Sequence, residues 1–546
     1  MIQKEFEFIM RPILIFLFIT SLLGCKDNEL TLENSLIYCS EKMPASFNPQ
    51  INHDAATIDA TTHQLYNRLI TFDIKQEQFI PSLATHWKKN KQEQSITFFL
   101  RKDVPFHQTS YFTPTRNFNA DDVIFSFNRM IKKRHPYHLI NINNSNRLFS
   151  HPFNNLIKKM VKIDDFTLKF ILTAPLENDN KNSLFMENLS LYYSVILSKE
   201  YADNLLAIAK PDQIDNLPIG TGPYQFLNSD SFHLFRFQAH KNYWGTPAPV
   251  ENLIFDVTPS SIKRYAKLLA NQCDIIAHPA PSQVSSISKQ YLLKLNLQST
   301  DNISMLAFNT QRAPLNNQRI RKILAHTIQK DQIIKSIYFT TPLSHTKLIK
   351  QQSWVPYFNE QHNEKRAIEE LATLNISKNN PLIILTLNSP SDYNANPNKT
   401  GRLLQARLKV LGIKSNVVSL PLTVLNQKLS KGDYDIFVTG HQGHSKDPSN
   451  LFTQLLSCQS SAVNGNSANW CNPDTQKLLN KMQTSKSAQS KEAVYKELKK
   501  ELLDGAYYLP ITLVSNFYVT HDNIRGVRSH PISGIDFTRT TKKVGN

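Results

Sequence analysis

Glycine is scarce in this chain, with 14 in 546 residues, and the shortage excludes several classes at once. No Gly-x-x-x-x-Gly-Lys stretch cradles a nucleotide phosphate, and no Gly-x-Ser-x-Gly elbow presents a serine nucleophile. Cysteine is sparse too, at five, and no two cysteines are spaced as structural zinc sites require. The apolar run from Ile13 to Leu23 falls short of the about 20 residues that span a bilayer. Charge is unbalanced, with 62 Lys and Arg against 44 Asp and Glu for a formal +18, but the basic residues are scattered and form no long run. No zinc-finger or RNA-binding signature accompanies them, so nucleic acid is not an expected partner. The basic surface disfavours long-range capture of strongly cationic solutes.

What is present is a large apolar complement. Apolar residues make up 40%, and the chain is longer than one hydrophobic core usually supports, so two or three lobes of an α/β or α+β protein are expected. The opening residues carry Arg11, the apolar run, then Gly24 and Cys25, which reads as a secretory signal. The stretch "LLGC" at 22–25 resembles a bacterial lipobox, making residues 1–25 the expected signal peptide and Cys25 the expected lipidation site. Met10 is an alternative start, because the acidic "EFEF" before it is foreign to a signal's first region. Export implies an oxidising compartment, in which Cys39, Cys273, Cys458 and Cys471 can pair in three ways. Cys458 and Cys471 are near enough to staple a short loop, worth about 3 kcal/mol in the chain-entropy model.

Further on, "NSLIYCS" reads as a strand. "DAATIDATTHQLYNRLI" reads as a helix capped by Asp54, with Ile58, Leu65 and Leu69 on one face. "QSITFFLRKDVPFH" reads as a strand ending at Pro105. In "NFNADDVIFSFNRMI", Asn119 is an N-cap, Asp121 and Asp122 oppose the helix dipole, and Val123, Phe127 and Met130 form an apolar stripe. From Tyr243 onward strands and helices alternate through "DYDIFVTG", which argues for sheets with helices on their faces. "PIGTGPY" makes a tight turn at Gly220 and Gly222 that positions a crossing strand.

Together, "FFLRKDVPFH", "FNADDVIFSFNRM", "PIGTGPYQF", "NYWGTPAPVENLIFDVTP", "LAFNTQRAPLNNQRIRKILAHTIQKDQIIKSIY" and "LSCQSSAVNGNSANWC" resemble the family 5 extracellular solute-binding proteins of ABC importers, the dipeptide, oligopeptide and nickel type. "IYCSE", "FNPQ" and "PTRNFNADD" are closest to its dipeptide and Sap-like branches. The resemblance implies an α/β, two-lobed periplasmic-binding-protein-like clamp (type II, three subdomains, the large peptide-binding class). It implies one lobe over 26–288 plus 515–546, with a subdomain inserted near 72–210, and a second over 289–514. It further implies disulfides Cys39–Cys273 and Cys458–Cys471, no catalysis, no cofactor and no resident metal. The expected partners are a peptide or peptide-like solute and an ABC permease in the inner membrane. A monomer is expected, tethered through Cys25 as a periplasmic lipoprotein of a Gram-negative bacterium.

The loop "GHQGHSKDP" at 440–448 follows an apolar strand and carries His441, Gln442, Gly443, His444 and Asp447. In the family this loop supplies a Trp and an Asp that pairs with the peptide ammonium; here those positions fall on His441 and His444. Relatives grip the peptide carboxylate with an Arg in the loop after "PLIILTL", where this chain has Ser391 and Asp392. Both charged end-reading groups are therefore replaced, and a neutral hydrogen-bonding wall for an altered peptide or amphipathic solute is expected. Ser145, Asn146 and Thr57 are further candidate contacts. A different class of reading is haem or metal capture on the same scaffold through the histidines; a third is a chaperone-like role.

Overall fold

The computed structural model describes residues 35–138 (without 53, 74, 75 and 77), 153–173, 184–339 (without 231 and 232), 358, 364–376 (without 375), 381–441, 443, 448–530 (without 486 and 487) and 534–543. The signal segment with Cys25, and the candidates Ser145, Asn146, Gln442, His444 and Asp447, lie outside the described residues. Among the described residues, no helix is long and apolar enough to cross a membrane.

Ten strands build one sheet: β1 (Ser35–Ser40), β2 (Tyr224–Asp230), β3 (Leu234–Ala239), β4 (Asn252–Val257), β5 (Ile275–Ala277), β6 (Leu293–Phe308), β7 (Leu382–Leu387), β8 (Ser415–Leu420), β9 (Ile436–His441) and β10 (Tyr508–His521). Their order is β8-β7-β9-β6-β10-β5-β1-β4-β3-β2. In the N-terminal half β1 lies parallel to β4 and β5. In the C-terminal half β7 lies parallel to β8 and β9. The long antiparallel pair β6 and β10 joins the halves, and its register slips between Gln298 and Asn302.

Each half buries its own core, as the α/β, two-lobed expectation requires. Along β6, Leu306 and Phe308 face one side with Ile384, Ile320 and Leu404, while Ile303, Met305 and Ala307 face the other with Leu385, Phe437 and Leu498. This period-2 alternation between two helical layers makes strand runs such as "LIILTL" apolar on both faces. The N-terminal core gathers Leu36, Tyr38, Phe98, Phe127, Phe255 and, from the chain's end, Phe537. A separate antiparallel sheet, Ala84–Asn90, Ser95–Leu100, Thr167–Leu172 and Ile157–Asp164 in that order, packs into the same core.

Cys39 is bonded to Cys273 and Cys458 to Cys471. The first bond sits in a small cluster with Leu268, Ile276, Ile287, Leu293 and Val519, beside the crossing pair.

Two expected elements end early. The helix capped by Asp54 spans only Ala55–Thr61. The carbonyls of Gln64 and Leu65 are taken by the N–H groups of Tyr224 and Gly222 at 2.9 and 3.0 Å, and the Gln64 amide binds the Asp59 carbonyl at 2.7 Å. Tertiary partners therefore draw the backbone out of the helix, although Leu65 and Leu69 are fully buried. A Cβ on Gly220 or Gly222 would lie 2.0 or 2.4 Å from those same carbonyl oxygens, which is why this approach needs glycine. The strand expected to reach Pro105 stops at Leu100, where Arg101 Nε donates to the Ser82 carbonyl at 2.6 Å and Asp103 takes a positive φ of 55°. The helix Ala120–Ile131 forms as read: Asn119 and Asp122 make a capping box, and Val123, Phe127 and Met130 are buried.

Candidate functional site

In α/β sheets, ligand sites form beyond the carboxyl ends of parallel strands. In the N-terminal half, β1 and β5 end directly before Glu41 and His278. In the C-terminal half, β7 runs into the loop at 388–396 and β9 ends at His441. These ends meet at the register slip of the crossing pair. His278 N–H donates to the Phe517 carbonyl at 3.0 Å. At the slip itself, Asn302 Nδ2 donates to the Asp392 carbonyl at 3.0 Å, and its Oδ1 accepts from Gly443 N–H at 3.1 Å. One side chain thus fastens both loops expected to read the solute.

The C-terminal wall is tightly built. Ser391 and Asn394 exchange backbone hydrogen bonds at 2.9 and 3.0 Å, and the Asn394 amide reaches Thr400 Oγ1 at 3.2 Å. The Tyr393 ring lies against bare backbone, since a Cβ on Gly440 would come within 2.2 Å of it. Tyr338 hydroxyl donates to the Tyr393 carbonyl at 3.1 Å. His441 is only 7% exposed, and its Nδ1 lies 2.8 Å from Gln454 Oε1. An amide oxygen only accepts, so Nδ1 carries the proton.

The N-terminal wall is acidic around one imidazole. Glu41 Oε2 lies 3.7 Å from His278 Nδ1, with 27% and 24% of the two side chains exposed. Burial works to lower the His278 pKa, but the Glu41 interaction and the charges of Asp59, Glu41 and Asp392 outweigh it and hold the imidazole above its ordinary value. Burial likewise works to raise Glu41, and the pairing with His278, helped by Lys42 and Arg264, brings it below the ordinary carboxylate range. Asp59 accepts from the Tyr38 hydroxyl at 2.7 Å and from Ile535 N–H at 2.9 Å. The electrostatic reach of Asp392 to His278 spans the two halves.

Thr57 is fully buried. Its hydroxyl accepts from Ala45 N–H at 3.0 Å and donates to Asp54 Oδ2 at 2.7 Å, so both capacities serve the start of the helix. Glu41, Asp59, His278 and Asn302 stand around this junction, and the sequence reading did not single them out. The signal used for "GHQGH", polar residues directly after an apolar strand, was equally present in "LIYCSE" and "DIIAHP". Among the described residues, no group of three His, Cys, Asp or Glu side chains is arranged to hold a metal ion.

The profile of bacterial extracellular solute-binding proteins, family 5 (middle region), matches residues 78–462. The dipeptide-binding protein of Escherichia coli is 30% identical over 501 residues, 91% of this chain and 92% of that protein. The peptide transport periplasmic protein SapA of Salmonella typhimurium is 31% identical, over 94% of this chain and 92% of its own length. Among solved structures, a dipeptide-binding protein from Pseudoalteromonas in complex with Met-Leu aligns with a TM-score of 0.80 at 32% identity, covering 93% of this chain and all of that one. The chain belongs to the bacterial extracellular solute-binding proteins of family 5.

Proposed function

We propose that the chain is the solute-binding component of an ABC importer, capturing a peptide or peptide-like solute between its lobes and delivering it to a permease in the inner membrane. The observation that carries this reading is the junction at Asn302, where the 388–396 loop and the end of β9 are fastened together opposite Glu41 and His278. The Met-Leu complex of a relative that aligns along nearly the whole chain supports it. Residues 26–288 with 515–546 form one lobe, carrying the inserted subdomain near 72–210, and residues 289–514 form the other. The slip in β6 and β10 lets the lobes move as bodies, so that solute stabilises the closed state by its differential contacts. The reading includes no catalysis. It takes the protein to be a periplasmic monomer tethered by lipid on Cys25.

Among described groups the walls offer the carboxylates of Asp392 and Glu41 and two imidazoles, which suit a cationic or hydrogen-bond-donating end of the solute, in place of the neutral wall expected from the loop at 440–448. A second reading, haem capture, is favoured by one observation: heme-binding protein A of Haemophilus influenzae is 29% identical over 91% of this chain. Native mass spectrometry and metal analysis of protein purified without denaturation, followed by calorimetry with Met-Leu and with haemin, separate them. Bound peptides and saturable peptide heat support the first reading; a haem absorption band and haemin heat support the second. Protein that binds neither overturns both.

A further inference from the structure

The four-stranded sheet buries one face and leaves the other open. Cross-strand partners place Lys88, Thr97, Lys169 and Val161 in one row of the open face, and His86, Phe99 and Thr167 in the next. Lys159 stands opposite Ile171 in a third row. A shallow cavity of about 540 Å³ lies over this face, lined by Lys88, Lys91, Lys169, Ser95, Thr97 and Phe99, among others. The Phe99 ring stacks on His86, centroids 4.3 Å apart and ring planes nearly parallel, with Lys88 Nζ 5.6 Å from its centre. The acids nearby, among the described residues, include Glu93, already paired with Lys169 at 2.9 Å, Asp164, whose pKa is lowered first by the Phe166 N–H and then by Thr167, and Asp165, paired with Lys162 at 2.7 Å.

Lysines on edge strands commonly serve only to discourage edge-to-edge pairing. That accounts for Lys88 and Lys159 but not for Lys169 or the half-buried Phe99, which stand on the two inner strands. We infer that this face is a docking surface for the anionic phospholipid headgroups of a membrane. Three observations select that occupant. The face carries a local excess of cations in a chain of net charge +18. Its centre is an aromatic ring held beside those cations, the combination that settles at headgroup level. Proteins of this family are extracellular by description, where a membrane surface is the extended polyanion at hand. Docking there presents the protein to the membrane by a face built apart from the solute site.

The test compares partition onto phosphatidylglycerol vesicles with partition onto phosphatidylcholine vesicles for the full chain as it is exported and purified. Any lipid anchor adds to both, so the ratio isolates the charge effect. The ratio is expected to exceed about 10 at low salt and to fall towards one when salt shortens the screening length to about 3 Å. The triple variant Lys88→Glu, Lys159→Glu, Lys169→Glu keeps the edges charged yet should lower the low-salt ratio about 100-fold or to one, whichever comes first. Reversal of three exposed lysines elsewhere, Lys263→Glu, Lys335→Glu and Lys496→Glu, should leave most of it. An equal loss in both triple variants, or no loss in the first, overturns the docking surface. Solute binding by the first variant should be unchanged, which keeps this test separate from the proposed function.

Discussion

Inside the N-terminal lobe, Arg129 and Asp215 sit 2.7 Å apart with 2% and 0% of their side chains exposed, and the Asn48 amide donates to the same carboxylate at 2.6 Å. At the lobe boundary, His278 and Glu41 sit 3.7 Å apart with about a quarter of each exposed. The histidines divide the same way. His107, fully buried, accepts at Nδ1 from Gly220 N–H at 3.1 Å and donates from Nε2 to the Gly222 carbonyl at 3.0 Å. Burial, then the neighbouring His240, pushes it down to about 3. His278 is instead held charged-prone by carboxylates from both halves. Dry, charge-paired groups fix the interior of the lobe, whereas looser, wetter ones stand where the two halves meet.

Breaking the dry pair should have the largest effect. Asp215→Ala leaves Arg129 buried without its counter-charge and should cost about 3–5 kcal/mol, read as a lower urea midpoint. Survival of that variant at wild-type stability would erase the contrast between the two regions.

The buried histidine sharpens it through pH. The folded-state pKa of His107 lies below the unfolded one, so its stabilisation is complete above about pH 6.5 and drains as pH falls towards 3. The expected slope is about 1.4 kcal/mol per pH unit for this group. His240, also lowered chiefly by burial, adds to it. Equilibrium unfolding at pH 7, 6, 5 and 4 measures the slope, and a flat profile would contradict a neutral buried pair.

At the boundary the losses should shift from stability to binding. Asn302→Ala removes both loop-fastening hydrogen bonds and should cost about 1–2 kcal/mol of stability. Solute affinity should fall further than stability does, because both walls loosen together. Calorimetry on the folded variant checks this; unchanged affinity would mean the fastening is incidental to the site.

The smallest effect is expected at His278, and its sign is opposite to that at His107. Its folded pKa is raised, so the interaction is present below about pH 6.5 and is lost as pH rises through the folded value. His278→Gln should therefore cost under about 1 kcal/mol at pH 6 and progressively less as pH rises through the folded-state value, given the partial exposure of the pair. Inter-lobe distances from a pair of spectroscopic labels should lose their pH dependence in this variant; an identical pH response would place the switch elsewhere.

Much of the architecture was legible because its signals are local. The capping box at Asn119 and Asp122, the apolar stripe through Phe127, and the two-sided apolar strands such as "LIILTL" each need only neighbouring residues. Where the reading overran, at Leu65 and at Arg101, remote backbone had claimed the groups a helix or strand would have used. The site divides likewise. His441 and Gly443 drew notice as the polar end of an apolar strand, and Ser391 and Asp392 through the family resemblance, whereas Asn302 was hidden inside a strand run, and nothing nearby in sequence marks it as the residue joining two loops.

By itself the sequence determined the class: its alternating apolar runs, caps and scarce glycines admit an α/β protein with more than one core, because period and capping act between near neighbours. Only the tertiary structure decided which histidine is locked neutral and which faces carboxylates. Burial and charge are set by groups hundreds of residues apart, as Asp59 and Asp392 are from each other, and chain order carries no record of that distance.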